Sequence, residues 1–231
     1  FLPVSSDGHL ALAELAFGIK EGNLALTVAL HAGTLACTLV YYRRDLLSLI
    51  RAAPRAVAGR MDIEAGSKTL LVAVTAGSIP TAILGLSMRH AVEHWATVPF
   101  IIGLCLLLTA GCNGIVARRA GVAGVGIEGL SLQRALMIGT MQGLAVLPGF
   151  SRSGVTIATG VFLGLDKELA ARFSFLLSIP AVFGAILLMS RDIAELPSED
   201  IWKVAMGAIV SFVVGLAAIH TLIRALVRGR F

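Results

Sequence analysis

Apolar residues run in long blocks along this chain instead of alternating with polar ones. No Asp, Glu, Lys or Arg interrupts Asn23 to Tyr42, Thr69 to Met88, Trp95 to Ala117, Phe173 to Ser190 or Val204 to Ile223. Each block is near the length, about 20 residues, that carries a helix across a hydrocarbon core of about 30 Å. Five membrane-crossing helices are therefore predicted. Two further runs, Ala135 to Ser151 and Ser153 to Leu165, are shorter and flank Arg152. A single helix over both, about thirty residues at about 1.5 Å each, would overshoot the core, so the pattern predicts two half-helices meeting at a break.

The break carries a distinctive string, Val146-Leu-Pro-Gly-Phe-Ser-Arg-Ser-Gly154, and the chain opens on a similar one, Phe1-Leu-Pro-Val-Ser-Ser-Asp-Gly-His9. Both run Leu-Pro, then hydroxyls, then Gly, with their prolines, Pro3 and Pro148, 145 positions apart. Proline and glycine interrupt helices, and inside a membrane the freed backbone groups must find partners or line a cavity. Two such interruptions point to a site.

Composition agrees with the blocks: 57% of residues are hydrophobic and 14% charged, with a mean hydropathy of +0.88. An all-α, polytopic membrane protein follows. The longest polar connection, Arg43 to Lys68, is too short to bury a core of its own, so the expectation is a single membrane domain over residues 1–231. The net charge of +5 does not indicate nucleic acid, because the bases sit in connections beside apolar blocks, where they orient a membrane protein. Cys37, Cys105 and Cys112 fall inside the blocks without metal-type spacing and read as small packing residues.

Arg43 to Lys68 holds six bases (Arg43, Arg44, Arg51, Arg55, Arg60, Lys68) against three acids (Asp45, Asp62, Glu64), which assigns it to the cytoplasm. Counting crossings places Arg118 and Arg119 inside, Asp166 to Arg172 inside if the second hairpin re-enters, and Arg191 to Lys203 outside. Acids outnumber bases in that last segment, and the tail bases Arg224, Arg228 and Arg230 return inside. Under this parity, Asn23 to Tyr42 and Phe173 to Ser190 run in opposite directions. The chain then reads as an inverted-topology repeat, about 1–117 and about 132–231, with two broken or re-entrant helices whose motifs meet at the repeat interface. A complete pair of repeats would also have a half-helix before Phe1 and a last helix after Phe231. A second echo, Ser78-Ile-Pro80 and Ser178-Ile-Pro180, does not share the offset and reads as kinking or packing.

Ser151-Arg152-Ser153-Gly154 offers a planar guanidinium, two hydroxyls and a glycine that lets backbone N–H groups approach a ligand. That is anion chemistry, and phosphate suits it best. An arginine in so apolar a setting is costly, which favours a functional reading over simple snorkelling. Ser5 and Ser6 stand four and three residues before His9, on one face if the segment is helical, so a base-assisted hydroxyl attack competes with a plain helix cap as the reading. Asp7 could ligate a divalent cation or only cap a helix, and one carboxylate is weak evidence for metal. His31 reads as a hydrogen-bonded core residue. Thr140 and Gln142 suit either polar lining or helix–helix hydrogen bonds.

These residues resemble the integral-membrane undecaprenyl-pyrophosphate phosphatases of bacteria associated with bacitracin resistance. Phe1 to His9 looks like that family's first signature and Pro148 to Gly154 like its second, and the likeness continues through Phe173-Ser-Phe-Leu-Leu-Ser-Ile-Pro-Ala181. The resemblance implies hydrolysis of a C55 polyprenyl diphosphate to the monophosphate in the bacterial cytoplasmic membrane. It implies Ser6 as nucleophile, His9 as acid/base, and Arg152 as phosphate clamp, with Ser5, Ser151, Ser153 and Gly154 binding phosphate. It also implies a divalent cation, Mg or Ca, and glutamates just upstream of the first signature, at positions that precede Phe1. Asp7 departs from the family, which often has a hydroxyl residue there. The implied partners are the polyprenyl diphosphate and membrane lipids, with no nucleic acid; whether the chain forms a homo-oligomer stays open.

Broken helices around an anion site also suit a flippase or transporter of polyprenyl phosphate or a small anion. The acid-phosphatase-like lipid phosphatases are disfavoured, because no His follows Ser151-Arg152 within the next few positions.

Overall fold

The computed structural model describes residues 1–17, 24–58, 64–119, 122–193 and 201–228. Its elements are α1 (Ser6–Phe17), α2 (Leu24–Tyr41), α3 (Arg43–Val57), α4 (Ala65–Ser87), α5 (Arg89–Trp95), α6 (Pro99–Arg118), a 3-10 turn (Ile127–Gly129), α7 (Leu132–Leu144), α8 (Arg152–Phe162), α9 (Lys167–Ile193) and α10 (Ile201–Val227). Among the described residues the fold is all-α, with one isolated bridge between Val125 and Leu165.

Four helices are long and apolar enough to cross a membrane, within Ala65–Ser87, Pro99–Arg118, Lys167–Met189 and Val204–Val227, and Thr27–Tyr41 forms a shorter apolar helix. These coincide with the five uncharged blocks of the sequence. Much of their surface stays apolar and exposed, as at Phe100, Leu107, Val213 and Val214, as expected where lipid replaces water. Residues 132–162 form two short helices separated by a non-helical stretch at 145–151. α7 has 13 residues and α8 has 11, about 20 Å and 17 Å at the helical rise, each short of a hydrocarbon core.

Packing centres on α9, which touches α2, α4, α8 and α10 and buries Phe173, Leu176 and Leu177 completely. Small residues and polar contacts bring helices together where apolar area gives little drive within lipid. α4 and α7 meet at Gly77 and Gly139, where a β-carbon on Gly139 would lie 2.1 Å from the Gly77 carbonyl oxygen. Thr81 Oγ1 lies 2.8 Å from the carbonyl of Gly139, and Gln142 Nε2 donates to the Leu177 carbonyl at 3.0 Å. Gln142 therefore serves helix–helix bonding, whereas Thr140 bonds to Leu136 in its own helix. The prolines of the Ser-Ile-Pro echo, Pro80 and Pro180, lie inside α4 and α9.

Arg43 to Lys68 is more ordered than a polar connection. Its first part forms α3, with Leu49 and Ala52 buried and Leu47 and Ile50 exposed, because Leu46, Leu49 and Ile50 recur at helical spacing between arginines. Arg172 makes a bidentate pair with Asp45, tying the start of α9 to α3. Beside it, Asp166 N donates to the Val125 carbonyl, and Arg119 donates to the carbonyls of Val161 and Phe162 at the end of α8. The three connections assigned to one side of the membrane thus lie at one end of the bundle. The acid-rich stretch expected on the opposite side falls largely at 194–200, outside the described residues, as do Arg60, Asp62 and Arg230.

Candidate active site

Each motif ends in a helix start capped by a serine. Ser5 Oγ accepts from Gly8 N at 3.4 Å, and Ser151 Oγ accepts from Gly154 N at 3.2 Å. The equivalence is thus Ser5 with Ser151, Ser6 with Arg152, Asp7 with Ser153 and Gly8 with Gly154, an offset one residue longer than that of the prolines, because Gly149-Phe150 stands where the first motif has only Val4. α1 starts at Ser6, and its cap is Ser5. Ser5 itself sits at φ 59°, a left-handed conformation rare outside glycine, and is 6% exposed. Such backbone strain tends to collect at functional sites.

The two helix starts touch. A β-carbon on Gly8 would fall 2.5 Å from Gly149 Cα, and one on Gly154 would fall 3.2 Å from Pro3 Cβ. Ser153 Oγ donates to the Phe1 carbonyl at 3.1 Å. Gly149 has φ +90°, and a β-carbon there would meet the Ile102 carbonyl oxygen at 2.5 Å. Only glycine meets both demands.

Both motifs are held by the interior of α6. Thr109, 3% exposed and roughly midway along that helix, donates to the Gly149 carbonyl at 3.0 Å and accepts from Ser151 N at 2.9 Å. One turn on, Asn113 Nδ2 donates to the Pro3 carbonyl at 2.6 Å, while its buried Oδ1 has no partner. Sequence reasoning passed over both residues. Their signal was available, since a threonine and an asparagine deep in the Trp95 to Ala117 block must satisfy their polar groups inside the protein.

The remaining donors define the chemistry. Helix starts leave their first amides without intrahelical partners, and among the described residues those of Ser6, Asp7, Arg152 and Ser153 make no hydrogen bond. Two adjacent helix N-termini, each with free amides and the positive end of its dipole, make an anion-binding environment. Gly154 contributes differently from expectation: its own N–H is taken by the Ser151 cap, so its part is close packing against Pro3 and Asn113. Ser5 accepts through its oxygen and keeps its hydroxyl proton for a ligand, whereas Ser151 Oγ lies 3.5 Å from Ser153 Oγ, whose own proton goes to the Phe1 carbonyl.

Ser6, Asp7 and His9 are exposed, and Arg152 and Ser153 partly so. His9 Nδ1 lies 2.8 Å from the Ser5 carbonyl. A carbonyl accepts only, so Nδ1 carries the proton and Nε2 of the neutral ring is a free base. Asp7 is the acid whose field acts on Arg152, without a salt bridge between them. No hydrogen bond among the described residues joins Ser6 to His9 or to Arg152. His31 bonds the Thr27 carbonyl, apart from this cluster.

Asp7 is the one carboxylate these two motifs contribute. Among the described residues no three His, Cys, Asp or Glu side chains gather to hold a metal. Magnesium and calcium take six or more oxygen ligands, several of which water and substrate phosphate commonly supply, so Asp7 and the neighbouring hydroxyls would give such an ion part of its shell.

Beside Leu2 and Pro3 an apolar groove of about 450 Å³ runs between α6 and α10, lined also by Ala117 and Leu222.

Comparison with known proteins identifies relatives of the chain. The family model described as "Bacitracin resistance protein BacA" matches residues 1–231. A protein of Desulfosudis oleivorans named undecaprenyl-diphosphatase is 44% identical, over 100% of this chain and 86% of its own length. Relatives with the same name from Desulfatibacillum aliphaticivorans and Methanosphaera stadtmanae are 36% and 37% identical, over 99% and 97% of this chain and 86% and 83% of theirs.

Proposed function

From the premise that this chain belongs to the bacitracin resistance protein BacA family, we propose that it hydrolyses undecaprenyl diphosphate to undecaprenyl phosphate and inorganic phosphate in the bacterial cytoplasmic membrane. One observation carries the local reading: two serine-capped helix starts, adjacent through Gly8 and Gly149, present free amides beside Arg152. A diphosphate is the ligand whose charge and oxygen count suit them. The groove beside Pro3 gives an isoprenoid chain an apolar wall.

In this reading Arg152 grips the terminal phosphate through its guanidinium fork, and the amides of Ser6, Asp7, Arg152 and Ser153 stabilise charge that builds on its oxygens. Ser6 Oγ, or a water at its place, attacks the terminal phosphorus as the bond to the bridging oxygen breaks. The proton passes to His9 Nε2, whose ring Ser5 orients. The prenyl monophosphate leaves with the bridging oxygen. If Ser6 attacks, a second step returns water to the phosphoserine and frees phosphate. In the same reading the two motifs belong to re-entrant helices related by inverted repetition, which would account for a polar site between apolar helices.

Phosphate release from the C55 diphosphate by the full-length protein in detergent, without any gradient, tests the activity. Release that falls by about 100-fold or more in Arg152→Ala is expected. Unchanged release in that variant would remove the site, and no release at all would leave transport as the better reading. Trapping of a Ser6-linked phosphate supports the covalent route, and full turnover by Ser6→Ala excludes it. The family resemblance also proposes a divalent cation, for which chelation should abolish release and magnesium or calcium restore it.

A further inference from the structure

At the end of the bundle where α2 gives way to α3 lies a cavity of about 490 Å³, lined by Tyr41, Tyr42, Arg43, Arg44, Asp45, Glu168, Arg172 and Ile223. It is separate from the two motifs. Its charges are unevenly satisfied. Asp45 is engaged by Arg172 through two hydrogen bonds. Arg43 gives one N–H to the Val40 carbonyl at 3.1 Å, and Arg44 makes no hydrogen bond or ion pair among the described residues. Glu168 is the one carboxylate left to oppose two arginines, so the cavity is net positive.

A second feature is independent of the charge. Tyr42 is 7% exposed, and its buried hydroxyl has no hydrogen-bond partner. Leaving such a group unmade is costly, and its neighbours include no acceptor that reaches it. Tyr42 is also the N-cap of the 15-residue α3, with no side-chain cap bond, but α2 ends at Tyr41, so the opposed ends of the two helix dipoles offset each other there. An anion with several acceptor oxygens would answer the phenol and the two guanidinia together.

The surroundings indicate its source. α3 carries arginines on one side and apolar residues on the other, and Ile50 and Val57 are 66% and 91% exposed. A helix of this kind lies in the membrane interface with its apolar face in the acyl boundary, which brings the cavity to the depth of headgroups. Ile223 adds an apolar wall.

We propose that this cavity binds the phosphate group of an anionic phospholipid, held by Arg43, Arg44 and the Tyr42 hydroxyl. The same chemistry would accept inorganic phosphate, and the test separates the two sources. Native mass spectrometry of the full-length protein in detergent would be titrated with phosphatidylglycerol, diacylglycerol and inorganic phosphate. The expected result is saturable binding of one phosphatidylglycerol, weakened about tenfold or more in the double variant Arg43→Gln/Arg44→Gln and severalfold in Tyr42→Phe, with no such dependence for diacylglycerol. Arg43 and Arg44 are exposed, so the double variant should fold, and an unchanged unfolding temperature and rate of phosphate release would verify that. Arginine-dependent binding of inorganic phosphate without phosphatidylglycerol would keep the phosphate chemistry and overturn the lipid source. Equal phosphatidylglycerol binding by wild type and double variant, or equal retention of diacylglycerol, would overturn the proposal. The outcome is independent of the proposed hydrolysis, which uses none of these residues.

Discussion

Replacing Thr109 with valine keeps the shape of the side chain and removes one hydroxyl. That hydroxyl donates to Gly149 and accepts from Ser151 N, at 3.0 Å and 2.9 Å, and Thr109 itself is buried. Each stranded backbone group costs about 1–3 kcal/mol. With two groups and partial relaxation of the loop, about 3 kcal/mol is a fair expectation. Much of it can be relieved if residues 149–151 shift, and such a shift moves the start of α8 together with Arg152. A displacement of about 1 Å at a phosphate clamp is worth about 100-fold in rate. Thr109→Val should therefore release phosphate from the C55 diphosphate about 100-fold more slowly while eluting as a folded monodisperse species. Thr109→Ser keeps the oxygen and should stay within about threefold of wild type. Wild-type turnover in Thr109→Val, or a serine variant as impaired as the valine one, would refute the assignment of Thr109 as a positioning residue.

Gly8→Ala places a β-carbon 2.5 Å from Gly149 Cα and should separate the motifs, with phosphate release falling about 100-fold; Gly103→Ala, with nothing within 4 Å, should leave it unchanged. Arg152→Lys keeps the charge but loses the planar fork, so turnover should drop at least about tenfold, measured by the same release assay. Gln142→Leu removes the bond to the Leu177 carbonyl and the longer contact with Thr81; thermal unfolding should show a loss of about 1 kcal/mol, typical of interhelical hydrogen bonds in membranes.

The residues of the candidate site were legible for a physical reason. Pro3, Pro148, Ser5, Ser151 and Arg152 contradict their apolar surroundings, and a membrane makes such contradictions expensive. α3 was less legible because its arginines disguise an amphipathic period as a polar connection. That the Ser151 cap takes the Gly154 N–H depends on the local turn and could not be read from the string.

The sequence by itself determined the all-α membrane class, the long spans, the pair of motifs and the family. Those follow from uncharged run length and from short strings that read locally along the chain. Only the tertiary structure decided that Gly8 rests on Gly149, that Thr109 and Asn113 in α6 anchor the two motifs, and that Tyr42, whose hydroxyl has no partner, lines a cavity with Arg43 and Arg44. Contacts between residues a hundred positions apart depend on how helices pack, and neither hydropathy nor spacing records which buried polar group finds a partner and which is left without one.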